Sequence, residues 1–333
     1  MDNKVTVIGF TGSGKTTYLI GMYICMSTGI NGFSLLAKDH NLDLYLEKLW
    51  NNLCNGQGPD PSNRLETYDF HISHNIKPVC DFEWVDYPGG LLADPLSENR
   101  QKLESDIKDS DCILLIVDGE IFSCIEAIDQ NDYQQKLEYS LKYNTGIRNE
   151  VRMLTMLSAE EIQLPPVGIV VTKCDLIDVA YQNAIRKALR NTFSSLFESS
   201  ERVVLQMSVS LGGVIEKGFY PEPFCIEQPI AFAVLSILLK YIIAANIQKF
   251  KNLDYIEAHN GIWGRLIHSN KINKAKENVN NLGVAVDKWA ASAFKLINLF
   301  SDKKTIYIGG EERNLRDYYR DIFTELSKME DNQ

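Results

Sequence analysis

The octet Gly9-Phe10-Thr11-Gly12-Ser13-Gly14-Lys15-Thr16 has the residue types and spacing that a phosphate cradle requires. Gly9, Gly12 and Gly14 free the backbone to take dihedrals closed to other residues, so successive N–H groups can converge on one anion. The apolar run Val5 to Ile8 precedes the octet and Thr17 to Ile24 reads as a helix, giving the order strand, glycine loop, helix. The unpaired amides and positive dipole end of that helix add to the anion site. In such a loop the Lys15 ammonium reaches the β- and γ-phosphates and the Thr16 hydroxyl ligates Mg²⁺, with Gly12, Ser13, Gly14 and Thr17 as further phosphate contacts. The octet alone does not choose between ATP and GTP.

That choice falls to residues that close later strands. Asp86 ends the run Val79 to Val85 and opens Asp86-Tyr87-Pro88-Gly89, a D-x-x-G. A carboxylate there can hold a water on Mg²⁺, and the Gly89 amide can hydrogen-bond the γ-phosphate. Thr172-Lys173-Cys174-Asp175 ends the run Val167 to Thr172. Asp175 can accept two hydrogen bonds from the N1–H and N2 amino group of guanine, whereas adenine would leave it unpaired. The Lys173 stem can lie over the base plane. Met207-Ser208-Val209-Ser210 ends the next strand, where a backbone amide at Ser208 or Val209 can donate to guanine O6. Each motif is weak singly. In this order, at the strand ends where open α/β sheets bind ligands, they point to a guanine nucleotide.

With these motifs, residues 1–250 resemble a P-loop GTPase of the Ras-like, translation-factor-related class. Thr172 stands where most of that class has Asn, a replacement also found in its Rho branch. The resemblance implies a six-stranded, mostly parallel sheet with one antiparallel strand, GTP/GDP and Mg²⁺ as ligands, and a switch driven by the γ-phosphate. The inserted helix and the loop Gly56-Gln57-Gly58-Pro59-Asp60-Pro61-Ser62 before the second strand are loosely similar to bacterial double-GTPase-like proteins. Ras-like and Gα-like proteins place a Gln directly after D-x-x-G to orient the attacking water; here Gly90 stands in that place, so hydrolysis is expected to be slow without a partner. The class also needs a Ser or Thr before the second strand to complete the Mg²⁺ shell, and Thr67 and Ser62 are the candidates. Arg64, three residues before Thr67, has the spacing of the arginine finger that Gα subunits carry in cis.

The elements that must position these residues are legible as alternating strands and helices, a three-layer α/β fold. Thr67 to Ser73 pairs with Val79 to Val85 around a turn at 75–78, Cys112 to Asp118 is a strand buried on both faces, and residues 125–164 are mostly helical. Between 29 and 66 one amphipathic helix is expected, over 42–53, within a long connection. Pro229 to Phe250 is apolar enough to span a bilayer, but Lys240 near its middle would cost roughly 2.5–3.5 kcal/mol there, so burial in the fold is expected. Residues 251–333 are expected to form a mainly helical extension beyond a 1–250 nucleotide domain, consistent with a length of 333 residues.

A net charge of −10 argues against nucleic acid or anionic lipid as partners. Residues 251–333 hold 13 basic against 12 acidic residues, while residues 1–250 hold 21 against 32, so the two parts present different surfaces. The extension is therefore the expected docking face for a protein effector or regulator, or for self-association. Seven cysteines form no C-x-x-C pair, and no leader precedes the first strand, so reduced thiols in a cytoplasmic protein are expected. The functions in play are a GTP-binding switch, a GTP-dependent self-assembling or membrane-associated protein, and a nucleotide-binding module that does not hydrolyse.

Overall fold

The computed structural model describes residues 3–61, 64–89, 98–127, 129–159, 164–198, 202–212, 221–258 and 262–331. Its strands are β1 (Lys4–Gly9), β2 (Phe33–Ala37), β3 (Glu66–His74), β4 (Lys77–Asp86), β5 (Cys112–Asp118), β6 (Val167–Thr172), β7 (Val203–Ser208), β8 (Thr305–Ile308) and β9 (Glu311–Asn314). They form one mixed sheet in the order β2-β3-β4-β1-β5-β6-β7-β8-β9. Five central strands, β4, β1, β5, β6 and β7, run parallel, and β3 lies antiparallel on β4. Those six are the strands the resemblance implies, but the sheet has nine, which corrects the expected number.

Of the three additions, β8 falls where Thr305 to Gly310 reads as a short strand and turn, and β2 and β9 have physical reasons for escaping the sequence reading. β2 is five residues long, buries Phe33 and Leu35, and pairs antiparallel with β3 where a long connection is expected. β8 and β9 form a hairpin whose Gly309 and Gly310 both have positive φ, the geometry of a two-residue turn that matches strand twist. β9 reads Glu-Glu-Arg-Asn, an edge strand with no apolar alternation to reveal it. In the β3–β4 hairpin the turn is Asn75-Ile76, both at positive φ, while Pro78 lies inside β4 opposite Ser73.

The helices are α1 (Lys15–Ser27), α2 (His40–Cys54), α3 (Glu98–Asp109), α4 (Glu120–Ser123), α5 (Gln130–Tyr143), α6 (Thr145–Ala159), α7 (Gln182–Thr192), α8 (Ser194–Phe197), α9 (Gln228–Ala258), α10 (Ile262–Ile297) and α11 (Leu315–Asp331). One face of the sheet packs on α1, α2, α9 and the C-terminal helices, through Tyr18, Leu46, Trp84, Phe232, Leu296 and Tyr319. The other packs on α3 to α8, through Ile107, Phe122, Leu137, Leu154, Leu189 and Phe197. Three layers result, as the alternation of elements predicts.

Among the described residues α9 is the one helix long and apolar enough to cross a membrane. Its first eleven residues, 228–238, are buried against the sheet. Lys240 ion-pairs with Asp111, a buried carboxylate that also accepts the Lys4 amide at 3.0 Å. Tyr241 of α9 meets Trp289 of α10 with ring centroids 5.1 Å apart, so the second side of α9 is covered as well. The residue-250 boundary expected from sequence falls inside α9, and β8 pairs with β7, so the C-terminal residues share the sheet and its core.

Candidate nucleotide-binding site

The glycine loop joins β1 to α1 at the C-terminal edge of the parallel strands. Gly12 and Gly14 both have φ of 86°, a region that side chains strain, and these two positions turn the loop's amides inward. Gly9 is required for another reason: a Cβ there would lie 2.6 Å from the Ile116 carbonyl of β5. Tyr18 N–H bonds the Gly14 carbonyl at 2.8 Å, so α1 is regular from its first turn. Lys15 is buried and donates from Nζ to the Gly9 carbonyl at 2.8 Å and the Phe10 carbonyl at 3.3 Å. Burial pulls its pKa down, against the opposing pull of the Asp86 and Glu150 carboxylates. The ammonium thus sits inside the loop, facing two acids.

Asp86, at the end of β4, is 1 % exposed, and its Oδ1 has no hydrogen-bond partner among the described residues. Burial pushes its carboxyl up to about 7, with Lys15 opposing and Glu66 adding to the rise. Glu66 is its cross-strand partner, so the two carboxylates share a face of the sheet. A buried oxygen with an open valence and a second carboxylate beside it make a hard, all-oxygen donor set of the kind that suits Mg²⁺, and the half-buried Thr16 stands in the first turn of α1 next to Lys15. Thr67 does not join that set: it pairs with Val85, one residue out of step, and the pleat turns it to the opposite face. Thr67, expected as a ligand, is thus turned away from Asp86, while Glu66, which carries no motif, lies beside it. Ser62 and Gly90 lie outside the described residues. Gly89 crosses over the loop so closely that a Cβ would be 2.1 Å from the Thr11 nitrogen, which requires glycine there. Arg64 stands exposed at the entrance of β3, its Nε 3.6 Å from the Glu66 carboxylate. Tyr87 is buried in the core and bonds Asp106, so it packs and does not cover the loop.

At the other end of the loop a cavity of about 350 Å³ is lined by Gly14, Thr17, Tyr18, Thr172, Lys173, Asp175, Val209, Ser210, Leu211 and Gly212, among others. Thr172 faces the loop: its Oγ1 donates to the Ser13 carbonyl at 2.7 Å, with the Val117 carbonyl at 3.3 Å. Lys173 is in the left-handed region, φ 51°, and its Nζ reaches Asp118 and Glu120, at 3.1 and 2.7 Å. Asp175 is exposed at the cavity mouth.

The expected O6 donor has moved. Ser208 is still in β7 and lines a separate cavity of about 540 Å³ with Arg186 and Lys304. The Val209 amide is taken by the Val171 carbonyl at 2.8 Å and the Ser210 amide by the Phe224 carbonyl at 3.2 Å. Leu211, whose amide has no hydrogen-bond partner among the described residues, is the first free donor in the cavity wall. Sequence reasoning stopped β7 too early. A signal for Leu211 did exist in Gly21, where a Cβ would be 2.4 Å from the Leu211 side chain, so α1 needs glycine for that loop to dock.

Glu150 was also missed. It lies in α6, is 1 % exposed, and its carboxylate faces the Phe10 backbone of the glycine loop and the Lys15 ammonium. Burial pushes it up to about 8. It carries no motif spacing, which is why sequence gives no hint of it.

No protein-family model and no curated protein matches the chain. Among solved structures it is similar to the GTP-bound GTPase-like domain of Ski7 from S. cerevisiae, at 15% identity over 71% of this chain and 50% of that one, with a TM-score of 0.37. It is also similar to a signal recognition particle receptor structure from Chaetomium thermophilum (11%, 65% and 95%, 0.31) and to the small COPII coat GTPase SAR1 from Encephalitozoon cuniculi with GDP (14%, 70% and 76%, 0.30). The chain thus spans half the length of the Ski7 chain it matches. From its own strand order, the glycine loop after β1 and the strand ends at Asp86 and at Thr172 to Asp175, the chain has the fold of a P-loop GTPase.

Proposed function

We propose that the chain binds GTP with Mg²⁺ and hydrolyses it slowly to GDP and phosphate, as a switch that passes its γ-phosphate state to a protein partner. The observation that carries this reading is the buried, unpartnered Oδ1 of Asp86 facing Lys15 below the glycine loop. A site that merely packed would not keep an open carboxylate there, because an unsatisfied buried acceptor costs about 1–3 kcal/mol.

In the reaction, water attacks the γ-phosphorus and the bond from that phosphorus to the β–γ bridging oxygen breaks. Lys15 neutralises charge building on the β- and γ-oxygens, and the Gly89 amide donates to a γ-oxygen. Thr16 and Asp86 would hold Mg²⁺, which when bound withdraws charge from the same oxygens. Asp175 and the Leu211 amide read the guanine edge. With Gly90 in the place of a water-orienting side chain, turnover is on the order of 10⁻⁴ s⁻¹ unless a partner supplies the missing group. Arg64 is the chain's own candidate for transition-state charge, and single-turnover rates for Arg64→Ala test it.

The pairing of β7 with β8 supports a link from the guanine loop to the C-terminal residues. Binding of fluorescent GTP, GDP and ATP, with Mg²⁺ and with a chelator, tests the whole reading. Guanine preference and Mg²⁺ dependence are expected; preference for ATP would refute it.

A further inference from the structure

α6 brings one face to the glycine loop. Gly146 and Glu150, four residues apart, share that face. A Cβ on Gly146 would lie 2.5 Å from the Phe10 ring, so the helix sits directly on Phe10. One turn later the Glu150 carboxylate faces the Phe10 backbone N–H, which opposes the effect of burial on it, and its buried Oε2 has no hydrogen-bond partner among the described residues. From the opposite direction Gly89 closes on the Phe10–Thr11 peptide, where its Cβ would lie 2.5 Å from the Phe10 carbonyl carbon and 2.1 Å from the Thr11 nitrogen. That peptide is therefore held between Glu150 and the strand end that reads the γ-phosphate.

We propose that Glu150 is a positioning residue for the γ-phosphate end of the loop, fixing the Phe10–Thr11 peptide against which Gly89 closes and so setting how strongly the site prefers GTP to GDP. The inference rests on the GTP reading above. Glu150 has no solvent contact, so it cannot itself activate a water, and it acts through Phe10 and Lys15. The charged groups facing it are Lys15 of α1 and, across Lys15, Asp86 of β4 with its neighbour Glu66 of β3. A helix needing only to pack would gain from an apolar side chain there, since a buried carboxyl with an open oxygen is costly. The direction of its pKa, raised by burial, favours the neutral carboxyl beside the phosphates, which a glutamine amide imitates in shape and charge.

The test is the ratio of GTP to GDP dissociation constants, measured with fluorescent nucleotides on the full chain, with melting temperatures alongside. Glu150→Ala is expected to weaken GTP about tenfold and GDP by less than about threefold, the size of one lost hydrogen bond at the γ end. Glu150→Gln is expected to restore both. Should Glu150→Ala fail to fold, Glu150→Asp, one methylene shorter, must show the same fall in ratio. A ratio unchanged in the folded variants, whether both affinities fall together or neither moves, overturns the proposal. Failure of the wild type to bind GTP would overturn the underlying reading instead, a different result from an unchanged ratio.

Discussion

Thr172 occupies the first position of the guanine-recognition stretch, yet its side chain serves the phosphate loop. It is 5 % exposed, and its hydroxyl donates to the Ser13 carbonyl at 2.7 Å with the Val117 carbonyl at 3.3 Å. Thr172→Val keeps the volume and removes that donor, leaving loop and strand carbonyls short of a partner where water does not reach. A lost buried hydrogen bond of this kind costs about 1–2 kcal/mol. If the bond holds the loop in its binding shape, the cost appears as a lower fraction of competent protein, weakening GTP and GDP alike by about 5- to 30-fold. Guanine-over-adenine preference should stay constant, because the hydroxyl touches no atom on the base side. Titrations of GTP, GDP and ATP into wild type and variant separate the effects. Reduced guanine preference with unchanged affinity would refute the assignment of Thr172 to the loop.

Three other outcomes follow from the geometry. Asp175→Asn should cut the preference for GTP over ATP by about 100-fold or more while leaving the melting temperature unchanged, since the side chain is exposed and, on the proposed function, its partner is the base. Lys240→Met strands the buried Asp111 carboxylate; because Lys240 is itself half exposed, the loss is about 1–2 kcal/mol, a fall of about 2–4 °C in melting temperature, and adding Asp111→Asn should recover most of it. Glu150 makes stability depend on pH. Burial pushes its folded carboxyl up to about 8 from the ordinary glutamate value of 4.5, so between those values the folded state holds the extra proton and stability falls as pH rises. Glu150→Gln lacks that slope, so its stability relative to wild type should grow from pH 5 to pH 8 in urea titrations; a constant difference would refute it.

How much of this was legible in the sequence depended on whether a residue's job is written in its neighbours. The loop from Gly9 to Thr16 is local: its glycines, lysine and threonine act on one ligand from one stretch of chain, so pattern and structure coincide. The strands β1, β5, β6 and β7 are apolar runs buried on both faces, and the runs announce them. Thr67 and Glu66 are neighbours in sequence but lie on opposite faces of β3, and composition is blind to which of them faces Asp86. The Ser208 amide lies three residues short of the free Leu211 amide, since β7 pairs with β6 as far as Ser208 and the turn begins later. Glu66 and Glu150 are tertiary: one is placed by cross-strand pairing, the other by the docking of α6, and neither is near a motif. β9 was unreadable because an all-polar edge strand and a polar loop have the same composition.

The sheet also constrains what a partner can sense. Asp86, Glu66 and Gly89 stand at the β3–β4 side, whereas the hairpin β8–β9 is fastened to β7 on the guanine side. That hairpin is held tightly: Gly309 N–H bonds the Arg202 carbonyl at 3.0 Å, Arg190 donates to the Gly310 carbonyl at 2.7 Å, and its guanidinium lies 5.1 Å from the Tyr307 ring centre. On the proposed function β7 could not shift the loop after it without straining the hairpin, while a γ-phosphate would act on strands at the other side. On the proposed function, a partner at β8, β9 and α11 would respond first to whether a nucleotide is bound, and one at β2 and β3 to whether it carries a γ-phosphate. The glycine loop joins the two ends: Thr172 ties Ser13 to β6, and Glu150 of α6 faces Phe10. On the proposed function, coupling between the base and the γ-phosphate runs through those two contacts, so variants at Thr172 and Glu150 should show non-additive effects on GTP affinity. Additive losses would mean that the two ends of the site are read independently.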